Sequence, residues 1–121
     1  MINFLLVAFG GFIGAGMRYL CSQISIFKSI SFPIATLTIN FVGSFLIGII
    51  SSISPGFKFN LFFRVGVCGG FTTFSTFSLE TFDMIESGKI PLAIIYSSSS
   101  VLLCLIGVLL GKSVSKVFLH A

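Results

Sequence analysis

The chain has 121 residues, of which 55% are hydrophobic and only 8% charged. A soluble domain of that length needs far more charge to cover its surface, so the composition specifies an integral membrane protein with almost no extramembrane mass. The net charge of +4 is no nucleic-acid signature, because the seven basic residues are scattered and mark the ends of apolar runs.

The chain divides into apolar runs that predict four membrane spans in a single domain covering residues 1–121. The first covers residues 3–24 and contains Gly10, Gly11, Gly14 and Gly16. Gly10 and Gly14 form a small-xxx-small contact face. No charge precedes Arg18, which argues against a signal peptide. Arg18 either snorkels to the interface or stands as an internal cation that anchors the fold or draws anions to a vestibule.

The second span covers residues 32–53, with Ser31 and Pro33 as its start signal and Pro33 expected in the first turn. Asn40 falls near its middle, where an amide needs a partner. It either bonds across helices or offers NH donors to a passing anion. Ser54, Pro55 and Gly56 read as a turn. Lys58 and Arg64 then flank the start of the third span, residues 60–84.

That third span reads badly as a continuous helix. Gly69 and Gly70 weaken it, and five hydroxyl residues follow between Thr72 and Ser78, interleaved with Phe74 and Phe77. Irregular backbone survives at membrane depth only inside protein or beside a watery cavity. The stretch therefore predicts a broken helix. Its second half would present N–H donors near Thr72, and its first half would end in carbonyls able to hold a cation. Glu80, Asp83 and Glu86 are the only acids. Asp83 and Glu86 read as a solvated helix end, whereas Glu80 lies nearer membrane depth.

Ser87 and Gly88 make the next turn, and the fourth span covers residues 91–114 with Lys112 and Lys116 at its exit. Tyr96, Ser100 and Cys104 recur every four residues and so share a face. The serine run 97–100 is either a polar face or a set of hydroxyls bonded back to the helix. Gly107 and Gly111 form another close-packing face.

Four spans put both termini on one side, with Lys58, Arg64, Lys112 and Lys116. The other side holds Lys28 and Lys89, with Arg18 near it. That is a weak positive-inside bias, and it specifies orientation poorly. With several glycine faces and too few helices to enclose a path, it predicts a homodimer of inverted subunits.

The whole pattern resembles the CrcB/Fluc fluoride channels. The resemblance rests on Gly10, Gly11, Gly14, Ala15, Arg18 and Tyr19 in the first span. It continues through Phe32, Pro33, Thr36, Leu37, Asn40, Gly43 and Ser44 in the second, and above all through the string from Gly69 to Glu80 in the third. It implies a multi-pass cell-membrane channel that exports fluoride passively and confers fluoride resistance. It also implies an antiparallel dual-topology homodimer with two pores and a central structural Na+ held by the backbone carbonyls of Gly69 and Thr72. Phe74 and Phe77 would be the pore phenylalanines and Asn40 the pore amide. Thr76, Glu80, Tyr96 and Ser100 would form a polar track. Cys104 departs from the pattern, standing where a hydroxyl is expected.

The chemistry of a small anion agrees. Fluoride holds its water tightly, so a selective path must supply replacement donors, and phenyl ring edges add weak stabilisation. The main alternative is a small proton-coupled multidrug or cation exporter, which needs a membrane-embedded acid. The first, second and fourth spans contain none. A non-transporting assembly subunit would leave the hydroxyl-rich break without a purpose. No nucleophile–base pair marks an enzyme. His120 stands alone and Cys21, Cys68 and Cys104 are dispersed, so neither metal nor redox chemistry has a ligand set.

Overall fold

A computed structural model describes residues 1–53 and 55–121, so the expected turn at Ser54 begins outside the described residues. In chain order the helices are α1 (Ile2–Ser22), α2 (Ser25–Lys28), α3 (Ile34–Ile53), α4 (Phe57–Phe59), a π-helical segment (Asn60–Cys68), α5 (Gly69–Phe71), α6 (Phe74–Glu86) and α7 (Ile90–His120). Among the described residues, α1, α3 and α7 are long and apolar enough to cross a membrane. The third predicted span differs because residues 57–71 and 74–86 are separate helical pieces.

The boundaries shift from the sequence expectation for local reasons. Lys28 lies on the short helix α2 rather than in a plain loop, and its Nζ donates to Gln23 Oε1 at 2.7 Å. Pro33 stands just outside α3 instead of in its first turn. Pro91 does fall in the first turn of α7, where its missing N–H costs nothing. That helix runs six residues beyond the expected exit at 114, to His120. Gly88, at φ 76°, ends α6 in a conformation that other residues rarely adopt.

Arg64 does not flank its span. Helix starts at Phe57, so Arg64 lies a full two turns inside, within the π-helical segment. Its i→i+5 bonding is unusual over nine residues, and π-helical stretches often accompany functional sites.

The glycine faces set the packing within one subunit. On α1, a Cβ at Gly14 would strike the Val67 carbonyl and lie 2.8 Å from the Phe71 amide nitrogen. Gly10 meets Phe62 and Gly66 in the same way, so α1 lies backbone-to-backbone against residues 60–71. On the other side α3 packs along α7, with Gly111 against the Phe45 carbonyl and Gly48 against Val108. These faces are therefore occupied inside the subunit. They give no support to the inverted dimer that the sequence reading partly based on them.

The spanning helices still expose Phe4, Phe9, Phe12, Ile94, Leu102 and Leu105, a surface suited to lipid or to protein within a membrane.

Candidate functional site

The site is built around the break. Thr72 (φ −77°, ψ 158°) and Thr73 (φ −146°, ψ 113°) are both extended, which ends α5 and starts α6. The Thr73 hydroxyl caps α6 by accepting from the Thr76 backbone N–H at 3.2 Å, and it donates to Thr76 Oγ1 at 3.1 Å. Asn40, reaching from α3, fastens the other side. Its Oδ1 accepts from the Thr73 backbone N–H at 2.8 Å, and its Nδ2 donates to the Thr73 carbonyl at 3.1 Å. One amide thus replaces both hydrogen bonds of a backbone residue. Gly43, a turn further along α3, sits against the Thr72 methyl, where a Cβ would collide.

A groove of about 460 Å³ runs beside the break, bordered by Asn40, Ser44, Phe74, Phe77, Ser100 and Arg64, with Gly69 and Thr72 on its wall. Its unspent donors include those of Asn40 and Ser100. The Asn40 NH₂ carries two hydrogens and gives one to Thr73. Ser100 is 6% exposed, and its Oγ has no hydrogen-bond partner. Leaving such a hydroxyl unpaired costs about 1–3 kcal/mol. Its neighbours behave differently: Ser97 bonds to the Ala93 carbonyl at 2.8 Å and Ser99 to that of Ile95 at 2.5 Å.

Next to the groove is a second polar cluster. Glu80 on α6 accepts from Thr36 Oγ1 at 2.7 Å through Oε1, and from the Tyr96 hydroxyl at 2.6 Å through Oε2. Tyr96 is wholly buried and joins the cluster to the groove, its ring 5.3 Å from that of Phe77. Phe77 lies 5.5 Å from Phe74. Glu80 also lines a smaller cavity of about 240 Å³ together with Ser31, Asp83, Ser87 and Lys89.

Of the residues singled out from sequence, Asn40, Phe74, Phe77, Ser100, Gly69 and Thr72 therefore meet in one groove. Glu80 and Tyr96 form the adjoining cluster. Thr76 is exposed and engaged with Thr73 at the start of α6. Arg18, half-buried on α1, lines neither cavity. Sequence reasoning gave no role to Thr36 at Glu80, to Thr73 as the cap, or to Arg64 in the groove. The spacing Thr73-x-x-Thr76 ahead of a helix was a usable signal for the cap. The other two depend on contacts between elements.

The break also frees carbonyls. In an unbroken helix the Gly69 carbonyl would accept from the Thr73 N–H, and that of Thr72 from the Thr76 N–H. Those donors go instead to Asn40 Oδ1 and Thr73 Oγ1. Gly69 is exposed, and nothing lies within 4 Å of a Cβ built on it. Neutral oxygens freed in this way suit a hard monovalent cation, so the expected Na+ fits the residues present. The described residues contain no cluster of three His, Cys, Asp or Glu that would suit a softer or more highly charged ion.

Comparison with known proteins adds a family. A family model described as CrcB-like protein, Camphor Resistance (CrcB), matches residues 5–112. The fluoride-specific ion channel FluC of Ruminiclostridium cellulolyticum is 45% identical over 122 aligned positions, covering 96% of this chain and 94% of that one. The protein of the same name from Elusimicrobium minutum is 44% identical, covering 97% of this chain and 96% of its own. That of Leptospira interrogans is 48% identical, over 82% and 83% of the two chains.

Proposed function

Because this chain belongs to the CrcB family, we propose that it is a fluoride-specific ion channel whose path runs through the groove beside the broken helix. It is a transporter and not an enzyme. The observation that carries the assignment of the path is the unpaired Ser100 hydroxyl, buried in a groove that the free Asn40 hydrogen and two phenyl rings also face.

Each residue then has a part. Asn40 and Ser100 replace water on the dehydrating ion. Phe74 and Phe77 offer ring edges, which are positive while the faces are negative. Tyr96 and Thr36 are held by Glu80 at the far end, and as the ion arrives their hydroxyls turn from the carboxylate to the anion. Thr76 supplies a further hydroxyl at the start of α6. Neutral donors bind weakly enough to let the ion leave. Transport is passive: hydrogen fluoride enters an acid-exposed cell, ionises, and fluoride flows out.

The functional unit is an antiparallel homodimer of four-span subunits in the cell membrane, with dual topology. The near-even distribution of basic residues favours neither orientation. The backbone carbonyls of Gly69 and Thr72, left without helical partners at the break, would hold the structural Na+. When bound, it supplies the positive charge that those oxygens otherwise lack. Arg18 serves the fold or the approach of anions from outside the groove.

The test is fluoride efflux from vesicles containing purified protein, driven by a potassium diffusion potential with no proton gradient. Rapid efflux is expected. Efflux that appears only with an imposed proton gradient would favour the exporter and remove the channel.

A further inference from the structure

One charge in the groove has no part in the path just described. Arg64 is the only ionisable side chain other than cysteine among the described residues lining it. Among the described residues Arg64 makes no hydrogen bond or ion pair. It lies five residues before Gly69 on the same helical piece and eight before Thr72 at the break. With the break at mid-membrane, that places its Cα roughly 12 Å from the centre, still within a hydrocarbon half-thickness of about 15 Å. An unpaired cation at that depth is costly, and where one persists it faces a watery cavity or a substrate path. The groove it lines is otherwise made of neutral donors, with the orphan Ser100 hydroxyl among them.

We infer that Arg64 is the anion-collecting residue of this groove: its guanidinium raises the local concentration of small anions at the mouth and passes them to Ser100 and Asn40. The inference rests on the channel reading above. It gives the collecting role within the groove to Arg64, whereas Arg18 lies outside it. The chemistry suits a relay. Arg64 is exposed on the groove, so it attracts an anion at longer range without enclosing it. Placed next to the rings it would trap the ion. Placed at the opening it increases entry and leaves the later steps to neutral donors.

The test uses the full-length protein in liposomes, comparing wild type with Arg64→Gln, Arg64→Met and Arg64→Lys. At fluoride well below saturation, Arg64→Gln and Arg64→Met should reduce initial flux by roughly tenfold. At saturating fluoride they should match wild type, and Arg64→Lys should stay close to wild type throughout. Raising ionic strength from about 10 mM to about 100 mM with an impermeant salt shortens the screening length from roughly 30 Å to 10 Å. That change should slow wild type and Arg64→Lys but not the neutral variants. Equal flux in wild type and neutral variants at low fluoride would overturn the role of Arg64. If the neutral variants do not assemble, wild-type flux that ignores ionic strength overturns it alone. Absence of fluoride flux from wild type is a separate outcome, and it removes the channel reading itself.

Discussion

Ser99 and Ser100 are adjacent in the sequence, yet their hydroxyls have opposite fates. Ser99 returns its hydrogen to the Ile95 carbonyl, while Ser100 is buried with no partner beside the groove. Nothing in a run of four serines distinguishes them; only the packing of α7 on α3 and α6 does. The pair makes a controlled experiment. Ser100→Ala removes an unpaired buried group, so thermal stability should hold or rise by about 1 kcal/mol while fluoride flux falls. Ser99→Ala should leave flux near wild type. Flux lost equally in both, or stability lost in Ser100→Ala, would make Ser100 a packing residue. The phenylalanines follow the same logic. The chain has 16, and hydroxyl neighbours were the only sequence signal separating Phe74 and Phe77 from the rest. The structure puts both rings on the groove, with Phe74 78% exposed. Phe74→Ile and Phe77→Ile keep bulk but remove the ring edge. Each should cut flux steeply with assembly unchanged, as measured by efflux and gel filtration on the same sample.

The break was the most legible element, because paired glycines followed by dense hydroxyls fit no lipid-facing helix. What holds it was not legible. The sequence left Asn40 open between gluing helices and feeding a path, and the structure spends most of the amide on the Thr73 backbone. Asn40→Ala should therefore cost about 2–4 kcal/mol, two buried backbone groups losing their partners. Thr73→Ala, which loses the cap and the hydroxyl bond to Thr76 but no backbone clamp, should cost about 1 kcal/mol. Thermal denaturation in detergent compares the two, and an equal cost would deny the clamp. The same element carries the cation proposal. Exchanging Na+ for a bulky organic cation should abolish flux in wild type, and flux that survives complete exchange would contradict it. The π-helical stretch left no trace in the sequence, since i→i+5 bonding has no residue signature of its own. Arg64 consequently looked like a span marker when it lies two turns inside.

At the scale of the whole molecule, composition specified a helical membrane protein, and three of the four apolar runs coincide with helices long and apolar enough to cross a membrane. The glycine faces lend the dimer no support, since Gly10, Gly14 and Gly111 pack helices within the chain. The inverted dimer now rests on balanced charge. A single cysteine placed in the loop near Lys28, on a background lacking Cys21, Cys68 and Cys104, should react from both sides of the membrane. Reaction from one side only would exclude inverted subunits. The central claim is that this groove passes fluoride and little else. The most direct measurement loads one set of vesicles with equal fluoride and chloride, adds purified wild-type protein, and follows both ions with selective electrodes after valinomycin. Fluoride should leave rapidly while chloride stays at the rate of protein-free vesicles. Comparable release of both ions, or retention of both, contradicts the account.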